Sequence, residues 1–218
     1  LLLTGADSDI GQNAARRLIV EGVSLSLQRI ALQHLISENL SDEGTLGEAL
    51  LDTLDSIVDQ EQAHPLAAEA LYYRGVRRYQ LGEYSGVEDD ANRFMDTFPD
   101  SPYRRGVLTL LASSSWQKSR FRTAASYLSQ AGSEFPESID VEALSVLIAD
   151  CYFRAGMFAE NAEDFASAAD AYEIALGGEP DKAVASQIFF QLVLSHLNAD
   201  AVEAAKAILD DSEQVSKL

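Results

Sequence analysis

Few side chains in this 218-residue sequence are of a type that does chemistry, and their spacing narrows what that chemistry can be. His34, His64 and His196 stand far apart, so no two have the spacing of about three to five residues that puts two imidazole ligands on one helix face. His34 has Glu38 four residues on, which is half a metal site and equally an ordinary solvated pair along a helix. Cys151 is the sole cysteine, excluding an intrachain disulfide and a Cys-rich zinc site. With Tyr152 and Phe153 beside it and no adjacent His or Lys, it reads as a buried structural thiol. Ser113-Ser114-Ser115 lacks the Gly-x-Ser-x-Gly elbow of a hydrolase nucleophile and reads as helix packing residues. Glu88-Asp89-Asp90 has no calcium loop around it, and three successive helical residues point in different directions, so it is expected to be a solvated face. No catalytic residue, metal or cofactor is expected, and the chain is not expected to be an enzyme.

One motif argues otherwise. Thr4-Gly5-Ala6-Asp7-Ser8-Asp9-Ile10-Gly11 resembles the nucleotide loop of short-chain dehydrogenases, which implies an NAD(P)-dependent dehydrogenase as a remote alternative. Such a loop needs glycines so that backbone N–H groups can approach a pyrophosphate. Here Asp9 replaces the middle glycine and Asp7 adds a second carboxylate, and both oppose a phosphate. Val23 to Leu40, where a second strand belongs, has helical character. None of the eight tyrosines has lysine four residues on, so the Tyr-x-x-x-Lys pair of that family is missing. A capped helix start, with Asp7, Ser8 or Asp9 satisfying free backbone N–H groups, explains the segment better.

Charge adds a partner class. The formal net charge is −19, which repels nucleic-acid phosphates. No apolar run is long enough to span a membrane. Leu1-Leu2-Leu3 is too short for the apolar core of a signal peptide, so any signal or lipid anchor would have to lie upstream. The charge is uneven: residues 1–65 balance at −8, residues 66–122 at +2 and residues 123–218 at −13. The middle island holds Arg74, Arg77, Arg78, Arg104, Arg105, Lys118, Arg120 and Arg122. Two readings stand: ion pairs between packed helices, or a patch for a partner protein or peptide built on Tyr73, Arg74, Arg77, Arg78 and Arg105.

The elements that must position these residues recur. Phe98-Pro99-Asp100-Ser101 returns 37 residues later as Phe135-Pro136-Glu137-Ser138, and Tyr84 and Phe121 have the same offset. From Tyr84 to Pro99, Phe121 to Pro136 and Phe165 to Pro180 the interval is always 15. Leu71, Gly75 and Tyr79 share a helical stripe, Gly82-Glu83-Tyr84 is a turn, and Val87, Ala91, Phe94 and Met95 form a second stripe before Pro99. Gly75, costly inside a helix, is expected to admit the second helix of its own pair.

This frame resembles the tetratricopeptide repeat, a helical hairpin of interlocking large and small residues. The resemblance implies an all-α fold in which antiparallel helix pairs stack as an α-solenoid, a right-handed superhelix. It is best over residues 66–102, fair over 103–138 and split over 141–181, where Ile148, Ala149, Tyr152 and Gly156 carry the first helix and the second resumes at Phe165. Met157-Phe158 is expected to be an abortive turn within an insertion of about two helical turns. Residues 182–210 keep a helix pair around Asn198-Ala199-Asp200. The structural repeat positions are Gly75, Gly82, Tyr84, Pro99, Phe121, Pro136, Gly156, Phe165 and Pro180.

Residues 1–65 are expected to form N-terminal helices over 9–21, 24–39 and 45–62, a degenerate repeat ahead of the 66–218 array. The tail Phe98-Pro99-Asp100-Ser101-Pro102-Tyr103 is similar to repeats of bacterial envelope proteins, namely outer-membrane assembly lipoproteins and a periplasmic Tol–Pal factor. That similarity implies the periplasm or cell envelope and a non-catalytic scaffold. In the family the first helices line the concave groove, so Arg74, Arg77 and Arg78 would face a bound peptide. The alternative is a structural segment of a large assembly, held end to end, since neither Leu1-Leu2-Leu3 nor Ala201 to Leu209 makes a polar cap.

Overall fold

A computed structural model describes residues 8–20, 24–40, 45–60, 64–138, 140–159, 162–177 and 182–210. Among these the protein is all-α, with eleven helices, a 3-10 turn at Pro136–Ser138 and no strand. The helices are α1 Ser8–Val20, α2 Leu25–Asn39, α3 Thr45–Val58, α4 Ala67–Gln80, α5 Tyr84–Thr97, α6 Arg104–Gln117, α7 Phe121–Glu134, α8 Val141–Ala159, α9 Ala162–Gly177, α10 Lys182–Asn198 and α11 Val202–Asp210. No described helix is long and apolar enough to cross a membrane.

The 37-residue offset in sequence is an offset in backbone. Shifting α4 and α5 by 37 positions gives the bounds of α6 and α7 at all four ends. The residues closing the second helices match as well: Phe98 has φ −130° and ψ 54°, and Phe135 has φ −131° and ψ 51°. The turns between paired helices are built alike. At Gly82, φ +77°, the Gly82 N–H donates to Tyr79 O and the Glu83 N–H to Arg78 O. Ser119, φ +57°, repeats both bonds with Trp116 and Ser115, and Asp200, φ +58°, repeats them with Leu197 and His196. This left-handed cap satisfies the last carbonyls of a helix and reverses the chain. Glycine adopts it without strain; serine and aspartate carry a Cβ there.

The chain forms two compact units, residues 1–110 and 111–218, dividing within α6. In the first, α1 to α5 pack each on the next. Its core holds Leu32 and Leu35 of α2, Leu50, Leu54 and Ile57 of α3, Leu71 of α4, and Val87 and Phe94 of α5. The expected stripe of α5 is therefore the buried one, with Met95 half-buried at its end. In the second unit α7 to α11 pack in succession, around Ala149, Ala168, Ala169, Tyr172, Ile188 and Leu192.

Two local expectations change, and at the N-terminus the helical reading holds. Gly75 admits a different helix: a Cβ there would sit 2.9 Å from Leu110 Cδ2, so the close neighbour is α6 rather than α5. Met157 and Phe158 make no turn; α8 runs on to Ala159, and α9 begins at Ala162, three residues before Phe165. Both sequences favour helix, and Glu163 and Asp164 suit the positive end of α9. At the N-terminus α1 already includes Asp9 and Gly11, and α2 follows it in place of a strand. Thr4 to Asp7 lie outside the described residues, as do Glu179 and Pro180.

Candidate functional site

Two arginines of the predicted patch, Arg74 and Arg77, are interior. Arg74 is 5% exposed and Asp90 3% exposed, and they meet between α4 and α5. The Arg74 Nη2 donates to Asp90 Oδ1 at 2.5 Å, and its Nε lies 3.1 Å from both carboxylate oxygens. Its Nη1 donates to Asp55 Oδ1 of α3 at 2.7 Å. Arg78 Nη1 lies 3.0 Å from Asp90 Oδ2, so one carboxylate takes two guanidinium groups. Arg93 of α5 extends the cluster, 3.3 Å from Asp59 Oδ1 and donating to Val58 O at 2.6 Å. Three arginines and three aspartates thus tie α4 and α5 to the C-terminal end of α3. Burial pushes the Asp90 carboxyl above the usual carboxylate range, against the pull of Arg74 and Arg78.

Two corrections follow. Asp90 is not part of a solvated face: of the acidic triplet only Asp89 is exposed, and Asp90 is the internal anion that Arg74 requires. Arg74 and Arg77, expected to face a groove, are buried. Arg77 is 2% exposed and donates from Nη1 to Leu40 O at 3.1 Å, bracing the end of α2. The ion-pair reading of the island holds for Arg74, Arg78, Arg93 and also Arg122, whose Nε and Nη2 grip the buried Asp164 of α9 at 2.6 and 2.8 Å. Beside that pair Ser119, Phe121 and Ala155 line an open hollow of about 260 Å³.

Tyr73 has a different setting. It joins Tyr72 and Tyr103 in a ring cluster that the sequence did not disclose, because Tyr103 precedes α6 and lies thirty residues away. Tyr72 and Tyr103 stack at 5.2 Å between centroids, and Tyr73 stands edge-on to both. Gly106 makes room, since a Cβ there would lie 2.7 Å from the Tyr72 ring. Beneath the rings Glu69 is buried. Gln33 Nε2 donates to its Oε1 at 3.5 Å, and Arg29 Nε lies 3.6 Å from its Oε2. Burial, with the Glu69 charge next, pushes the Tyr103 phenol up to about 12. Burial raises Tyr73 as well. All three rings remain partly accessible, and Arg105 is exposed at the start of α6.

The other candidates are structural. Cys151 is buried against Ala124, Ala125, Trp116 and Tyr152, and burial pushes its thiol up to about 12. Ser114 and Ser115 are buried helix packing residues. Among the described residues no group of three or more His, Cys, Asp or Glu is placed to hold a metal ion. No family model and no curated protein matches the chain.

Proposed function

We propose that this chain is a non-catalytic interaction scaffold, a tetratricopeptide-like α-solenoid that binds a partner protein or peptide on its helical surface. The observation carrying this reading is the 37-residue recurrence of a helix hairpin with the same cap, the same turn and the same closing phenylalanine. Repeated hairpins that bury their faces on one another make extended surfaces, which serve recognition. The first unit offers Tyr73 with Tyr72 and Tyr103, partly exposed and held from beneath by Glu69. Aromatic and arginine side chains are the usual anchors of protein interfaces, and Arg105 extends this surface. Arg74 and Arg77 support the surface from inside and do not touch the partner.

The test is a pull-down from native extract with the intact chain and with a Tyr73→Ala/Arg105→Glu variant, followed by direct binding of the captured protein in purified form. Loss of at least tenfold in affinity, with thermal stability kept, is expected. Unchanged binding removes this surface from the assignment, and failure to capture any specific protein removes the scaffold reading.

A further inference from the structure

Helix α4 starts at a turn that a histidine holds. Leu66, the residue just before the helix, has no polar side chain to cap it. His64 supplies the cap from across Pro65: its carbonyl accepts the Ala67 N–H at 2.8 Å, and its Nδ1 accepts the Leu66 N–H at 3.1 Å. One residue thus satisfies two donors that the start of a helix leaves free. A ring nitrogen that accepts a hydrogen bond carries no proton, so the bond requires a neutral imidazole. Leu66, Ala67, Ala70 and Leu71 are buried directly behind the turn. Glu69, Tyr72, Tyr73 and Arg74 follow on the same helix.

We infer that His64 is an acid-sensitive cap, whose protonation at mildly acidic pH releases the Leu66 N–H and loosens the start of α4. Two effects act in the same direction. The proton occupies the lone pair that the Leu66 N–H needs, which leaves that donor without its acceptor. The imidazolium then stands at the positive end of the helix dipole. Burial already holds the His64 imidazole below its ordinary value of about 6.5. The cap's contribution is therefore complete above 6.5 and is lost as pH falls through the lower folded value. Charges on the packed elements are engaged elsewhere: Asp55 of α3 and Asp90 of α5 with Arg74, and Asp59 beyond α3 with Arg93. Glu83 at the start of α5 faces Arg78, and Glu69 of α4 itself faces Arg29 and Gln33 of α2. Glu61 lies outside the described residues. The inference concerns the cap alone and stands whether or not the tyrosine surface binds a partner.

The test compares the intact chain with His64→Asn, whose side-chain oxygen accepts the same hydrogen bond ahead of Pro65 and takes up no proton. Amide hydrogen exchange is followed by NMR at pH 7.5 and pH 5.5, as protection factors corrected for intrinsic rates. Protection at Leu66 and Ala67 should fall between these pH values by about threefold more in the intact chain than in His64→Asn. Every carboxylate is the same in both chains, so the difference isolates the imidazole. The His64 ring signal, assigned through its own backbone, should titrate below 6.5 with Nδ1 unprotonated at pH 7.5. An equal pH response of the two chains overturns the proposal, as does titration of His64 at or above 6.5. Should His64→Asn fail to fold, the loss of protection in the intact chain has to follow the His64 titration curve. A loss that follows a different midpoint, or no loss, then overturns the proposal.

Discussion

Arg74 and Asp90, sixteen residues apart, face each other inside the first unit with both side chains buried and three donor–acceptor contacts between them. Asp55 takes the remaining edge of the same guanidinium, so one arginine joins α3, α4 and α5. This pairing explains why an arginine-rich island sits between acidic flanks: in part it neutralises carboxylates that the packing has already enclosed.

Removing one member leaves an uncompensated buried charge. Asp90→Ala is therefore expected to cost about 3–5 kcal/mol in urea unfolding. Asp59→Ala, at a residue with a 65% exposed side chain, should cost about 0–1 kcal/mol. Equal costs would show that Arg74 and Arg78 are hydrated in solution.

The three left-handed caps rank by residue type. Ser119→Gly relieves a β-carbon at φ +57° and should stabilise the chain by about 0.5–1 kcal/mol. Asp200→Gly should gain less, because aspartate tolerates this conformation better. Gly82→Ala should lose about 1 kcal/mol by the reverse argument. Urea midpoints of the three variants check the order, and a destabilised Ser119→Gly would refute it.

Gly106→Ala places a methyl where the Tyr72 ring lies, 2.7 Å from its nearest carbon. A loss of about 1–3 kcal/mol is expected, with a changed near-ultraviolet circular dichroism band as the ring stack opens. An unchanged band would mean that the stack does not depend on that gap.

Alkaline pH should weaken the fold. Cys151 and Tyr103 both titrate higher in the folded chain than their ordinary values, near 12 in each case. Their contribution is complete below the unfolded values of about 8.5 and 10, and is lost as pH rises towards 12. Urea midpoints should accordingly fall between pH 9 and 11, and Tyr103→Phe should flatten the fall above pH 10. In the same vein Cys151 should resist a thiol reagent at pH 8 until denaturant is added; rapid native labelling would contradict its burial.

What the sequence disclosed follows from what is local. The helices, the stripe of α5 and the 37-residue period depend on spacing within one or two elements, and all were legible. The burial of Asp90 was not, because its reason is Arg74 on another helix, and adjacent acids look solvated when read alone. Gly82 announced its turn and Asn198-Ala199-Asp200 marked another, whereas Ser119 makes the same turn with a residue that carries no such signature. Around Met157 the third repeat copy misled, since Met157 and Phe158 continue α8 instead of turning. The tyrosine cluster lay half in view: Tyr72 and Tyr73 are adjacent, but Tyr103 joins them only through packing that Gly106 permits.

The central claim is that the chain binds a partner through its helical surface, and site-specific photocrosslinking tests it most directly. A benzophenone amino acid is placed at Tyr73 or at the exposed Asp96 of α5, and irradiated in native extract. The account predicts a defined adduct of discrete mass from position 73, suppressed by excess unlabelled chain, and none from position 96. Identical smears from both positions, or no adduct from position 73, would contradict it.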